Sequence, residues 1–178
     1  MSAEAPKGLL LLHGLTSTSA MLGGFKERID TTTPYKAQTV GGPLEVNMWI
    51  GNKRKVVDGL HRLTDQTQEK VAVVGHSLGG LHGAEAAFEN PDEVDEVVTI
   101  FSPIRHLRGK PESVQATAIA GESDPVVNRR IALNPRWEKN WTLRTADHCS
   151  PLWRPPVQEF VIAQLKLPSS ATLYQKSA

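Results

Sequence analysis

The sequence predicts an α/β fold, a parallel sheet of about six strands with helices on both faces. Two observations predict it. Short apolar runs alternate with segments whose apolar residues recur at helical spacing. The runs are also continuous rather than alternating, as expected of strands buried on both faces. At 178 residues the chain has the length of one domain and can bury a full core without disulfide or metal support. Residues 1–167 are expected to form that domain, and 168–178 a flexible tail.

The elements follow in order. Residues 8–12 (GLLLL) read as a buried strand ending at His13-Gly14. Residues 17–29 read as a helix with Met21, Leu22, Phe25 and Ile29 on one face, weakened by Gly23 and Gly24. A strand is expected over 36–40. A helix over 53–68 places Val56, Val57, Leu60, Leu63 and Thr67 inward against a charged outer face. Residues 70–74 form the next strand, and a helix over 78–89 stops at Asn90-Pro91. Strands over 94–101 and 115–120 follow, then a helix opening near Pro125 and a last strand over 141–145. Pro155-Pro156 starts a final helix with Val157, Phe160, Val161 and Leu165 inward.

Composition excludes several function classes. A formal net charge of +1 gives no electrostatic basis for binding nucleic acid or an anionic membrane surface. Cys149 is the only cysteine, so neither an internal disulfide nor a cysteine-based metal site is available. The apolar stretch 9–12 is too short to span a bilayer and lacks the pattern of a signal peptide. A cytoplasmic location is therefore expected; the oligomeric state is not indicated.

Chemistry concentrates at Gly75-His76-Ser77-Leu78-Gly79, a G-x-S-x-G match between a buried strand and a helix. A nucleophile on so sharp a turn needs small residues two positions to either side, and Gly75 and Gly79 supply them. Gly80 relieves crowding further. The turn exposes the Ser77 hydroxyl above a helix N-terminus, where backbone N–H groups favour developing negative charge. An ordinary glycine-rich turn is the bland alternative. A phosphate-binding loop has no support, since neither G-x-G-x-x-G nor G-x-x-x-x-G-K occurs.

With these residues the chain resembles the α/β-hydrolase superfamily, specifically its minimal lid-less lipases and esterases. The resemblance runs from Gly8 to about Leu167 and is carried by His13-Gly14, by residues 75–80 and by the order Ser, Asp, His. It implies Ser77 as nucleophile and His148, in the loop after the last strand, as its base. His82 lies on the helix after the turn, His106 lies in a basic loop with Arg105 and Arg108, and His76 is expected to pack beside the motif. The implied acid is Asp124, in Gly121-Glu122-Ser123-Asp124-Pro125, fixing the imidazole tautomer. A simple helix N-cap is the alternative for Asp124, with Glu122 and Asp147 as fallback acids.

The resemblance further implies an oxyanion hole of two backbone N–H groups, from Leu78 and from Leu15, with Thr16 as the neighbour able to replace Leu15. His13 would brace that loop. Met48, Trp49 and Trp153 are pocket candidates, although plain packing explains each. The superfamily often inserts a lid after the fourth strand; only residues 102–113 are available here, which favours small or short-chain acyl groups. The expected function is hydrolysis of a small-molecule carboxylic ester through an acyl-enzyme, with no metal and no cofactor. Acyl transfer, thioester or amide cleavage on the same groups is the first alternative. A catalytically silent ligand-binding protein on the same scaffold is the second.

Overall fold

A computed structural model describes residues 6–14, 19–40, 52–144, 147–149 and 151–165. Six strands are present among them: β1 (Lys7–Leu12), β2 (Tyr35–Thr39), β3 (Val71–His76), β4 (Val94–Ile100), β5 (Gln115–Gly121) and β6 (Lys139–Leu143). All pair in parallel, in the order β2-β1-β3-β4-β5-β6. The helices are α1 (Gly23–Thr32), α2 (Asn52–Thr67), α3 (Leu78–Glu89), α4 (Arg129–Ala132) and α5 (Pro155–Gln164). Single 3₁₀ turns precede α1 and α5, at Ser19–Leu22 and Pro151–Trp153.

Period-two alternation divides each central strand between two cores. Leu9, Leu11, Val74, Val98, Ile100 and Ile119 face α1 and α5, where they meet Phe25, Ile29, Val157 and Val161. Leu10, Leu12, Val71, Val73 and Val97 face α2 and α3, against Val56, Leu60, Leu63, Ala84 and Ala87. Both faces of the sheet are thus covered, which is why β1 and β3 are apolar at nearly every position.

Several elements differ from the sequence expectation. The first helix begins at Gly23, six residues late, and runs on to Thr32; the stretch before it is the 3₁₀ turn. No helix starts at Pro125. Asp124 Oδ1 instead accepts from the amides of Val126 and Val127, closing a tight turn, and α4 begins only at Arg129 under an Asn128 cap. β6 lies two residues earlier than expected. It is an edge strand whose first four residues are exposed, so no buried run marks its limits.

The link from β4 to β5 carries no helix. Parallel strands need a crossover of about a dozen residues or more, and residues 101–114 barely supply it. Loop side chains do the covering instead. Ile104 and Val114 are buried, and Asn134 Nδ2 donates to the carbonyls of Ile104 and Leu107 at 2.9 and 3.0 Å. The β4–β5 link, residues 101–114, itself contains no lid insertion. No helix among the described residues is long and apolar enough to cross a membrane.

The strand order reverses between β1 and β3, and ligands on such sheets bind outside the carboxyl ends of the strands at that point. If α2 secures this sheet face through Leu60, which is completely buried, Leu60→Ala should lower the unfolding free energy by about 2–5 kcal/mol in a urea titration. Arg54→Ala, on the exposed face of the same helix, should change it by less than about 0.5 kcal/mol.

Candidate active site

Ser77 stands between the last residue of β3 and the first of α3, with φ 53° and ψ −128°. Side chains rarely adopt that backbone region, and holding one there costs about 1–3 kcal/mol. The turn is fastened on both sides. The Ser77 amide donates to the Ile100 carbonyl at 2.9 Å, and the Ser77 carbonyl accepts from Gly80 N at 3.1 Å. Beneath it, Ser102 Oγ donates to the Ile100 carbonyl at 3.1 Å.

Two glycines make the turn possible through close approach rather than flexibility. A Cβ on Gly75 would lie 2.4 Å from Gly80 Cα, and one on Gly79 would lie 2.3 Å from the His13 carbonyl oxygen. Both obstacles are backbone, which cannot swing aside. The contact with His13 was not legible in the motif, since His13 comes from the end of β1.

His148 follows β6 and is buried, with its Nε2 2.8 Å from Ser77 Oγ and its Nδ1 2.7 Å from Asp124 Oδ2. Asp124 follows β5 and its side chain is fully enclosed. Its two oxygens divide their work, Oδ1 on the amides of Val126 and Val127, Oδ2 on His148. Asp124 thus caps a tight turn and not a helix: one carboxylate oxygen is clamped by that turn and the other faces the imidazole. With Nδ1–H donating to the carboxylate, Nε2 carries the lone pair toward the serine hydroxyl.

Among the described residues, no other histidine hydrogen-bonds to the side chain of Ser77 or Asp124. His106 is exposed in the β4–β5 link. His82 meets Glu85 on α3. His13 is buried with Nδ1 3.0 Å from the Gly14 carbonyl, and burial lowers its pKa. Of the fallback acids, Glu122 is exposed and Asp147 pairs with Arg154.

His76, expected only to pack nearby, has a definite partner. Its Nε2 lies 2.8 Å from the backbone carbonyl oxygen of His148, and the two rings are 4.9 Å apart. Burial, reinforced by the neighbouring His148, pushes its pKa down to about 4, so it is neutral near pH 7.

Leu78 is the first residue of α3, so its N–H has no intrahelical acceptor and is available at the mouth of the turn. Leu15 and Thr16 lie outside the described residues, as do Met48 and Trp49 and the tail 168–178. Trp153 is half-exposed, and its indole N–H donates to the Met21 carbonyl at 2.9 Å. A cavity of about 310 Å³ lined by Leu10, Val40, Asp58 and Arg62 includes none of Ser77, Asp124 and His148. Among the described residues no cluster of His, Cys, Asp and Glu could hold a metal ion.

The depressed His76 pKa has a consequence for stability. The unfolded chain takes up a proton near pH 6.5 that the folded chain refuses until about pH 4. The contribution is complete above pH 6.5 and is lost as pH falls toward 4, by at most about 1.4 kcal/mol per pH unit. Urea midpoints across that window should therefore fall less steeply for His76→Gln than for wild type; equal slopes would contradict it.

No family model matches the chain. It is 34% identical over 97 residues to a homoserine O-acetyltransferase of Halorubrum lacusprofundi, a match covering 53% of this chain and spanning only 18% of that enzyme's length. A predicted CIB-like hydrolase of Thermoplasma acidophilum superposes with a TM-score of 0.65 at 14% identity, covering 92% of this chain and 86% of its own. A monoacylglycerol lipase of Paleococcus ferrophilus superposes with a TM-score of 0.64 at 13% identity, covering 88% and 94%. Six parallel strands in this order, a strand–serine–helix turn at their carboxyl ends and these superpositions together give the chain the α/β-hydrolase fold, resembling the lipases and esterases built on it.

Proposed function

We propose that this chain is a serine hydrolase that cleaves small or short-chain carboxylic esters through an acyl-enzyme. The observation that carries the proposal is the continuous hydrogen-bonded run from Asp124 through His148 to Ser77, at 2.7 and 2.8 Å. Ser77 Oγ attacks the ester carbonyl carbon while His148 Nε2 takes its proton. Asp124 keeps the imidazole in the required tautomer and favours the imidazolium that forms. The backbone N–H of Leu78, with that of Leu15, holds the tetrahedral oxyanion. Collapse expels the alcohol, which receives the proton from His148. A water molecule then repeats the sequence on the acyl-enzyme, releases the acid and restores Ser77. The cycle needs side chains, backbone amides and water.

Acyl transfer is the second reading, favoured by the partial likeness to the homoserine O-acetyltransferase. It differs only in the acceptor that meets the acyl-enzyme, and product analysis with competing alcohols separates the two.

Wild type should react with a fluorophosphonate probe, and Ser77→Ala should not. Ser77→Ala and His148→Ala should each lower kcat by roughly 10³-fold or more. A folded wild type that stays unlabelled would favour a silent binding protein. Among p-nitrophenyl esters of increasing chain length, kcat/KM should be highest for short acyl groups, because the β4–β5 link supplies no cover for a long one. A maximum at long chains would overturn that substrate class.

A further inference from the structure

His76 is the last residue of β3 and the residue before Ser77. The strand is buried throughout, and a polar ring in such a place requires a partner. The partner is the backbone carbonyl of His148, 2.8 Å from Nε2. A carbonyl only accepts, so Nε2 carries the hydrogen and the ring is the Nε2–H tautomer. On its other edge, Nδ1 sits beside Gly14, where a Cβ would come within 3.5 Å of it. The ring therefore lies between the loop that follows β1 and the segment that carries His148.

Beside His148 in that segment, Asp147 pairs with Arg154. The side chain of His148 reaches Asp124 and Ser77. Among the described residues, the bond from His76 is the hydrogen bond made to the His148 backbone.

We propose that His76 is a positioning residue for His148, tying the backbone of the base to the strand that bears the nucleophile. The inference rests on the reading of Ser77, Asp124 and His148 as a triad. Without the tie, the imidazole keeps its side-chain partners but loses the fixed origin from which it reaches Ser77 Oγ. Misplacement of a reacting group by an ångström lowers rates by about 100-fold. The charged or titratable groups that act on the ring are His148, Asp124 and His13. Since His76 is neutral, the imidazolium formed on His148 during proton transfer meets no second cation at the 4.9 Å ring separation.

The test compares His76→Leu, which removes the donor, with His76→Gln, whose amide nitrogen can replace Nε2. Both are assayed for kcat and KM on p-nitrophenyl acetate and for the rate of fluorophosphonate labelling. His76→Leu should lower kcat and the labelling rate by about 10- to 100-fold with KM within about threefold, and His76→Gln should recover most of the loss. Wild-type rates in His76→Leu, or equal losses in two folded variants, would overturn the proposal. Should His76→Leu not fold, ¹⁵N NMR of the wild type decides: His76 should be the Nε2–H tautomer and should not titrate between about pH 6 and 8, and an Nδ1–H ring or a titration there would overturn it. A wild type that labels as fast as its leucine variant ends this inference alone; a folded wild type that neither labels nor turns over the ester ends the triad reading and this with it.

Discussion

The site depends on backbone packed against backbone where α3 leaves the sheet. Gly75 faces Gly80, and Gly79 faces the carbonyl of His13, at distances that leave no room for a methyl group. This closeness lets the chain reverse within one residue and concentrates the strain at Ser77. It also joins the ends of β1 and β3, so the loop bearing Gly14 and the turn bearing Ser77 form one piece.

Around that piece the polar groups are arranged economically. Asp124 closes its own turn with one oxygen and meets His148 Nδ1 with the other, so both carboxylate oxygens are held. Asn134, between α4 and β6, braces the β4–β5 link from outside, donating to the carbonyls of Ile104 and Leu107. Phe101 begins that link with a φ of 51°, and its ring lies 6.3 Å from that of His148.

Legibility in the sequence followed burial. β1, β3 and α3 were readable nearly to the residue, because continuous apolar runs and the G-x-S-x-G spacing report constraints local to the chain. β6 was displaced because an exposed edge strand has no apolar run to announce it. The turn after Asp124 was mistaken for a helix start because Asp-Pro suits both, and only the third dimension shows which amides the carboxylate caps. Ser77, Asp124 and His148 were nominated from motif and chain order, and the fold brings the three side chains together. The bond from His76 to the His148 carbonyl spans 72 positions and leaves no local trace.

The exposed edge at β6 sets an order of failure. Ser77 leaves the most enclosed strand of the sheet, whereas His148 is delivered by the least enclosed one. Fraying in folded proteins starts where backbone is solvated and apolar contacts are few. Backbone opening under mild heat or dilute urea is therefore expected first at β6 and the His148 that follows it, ahead of the enclosed strand that carries Ser77.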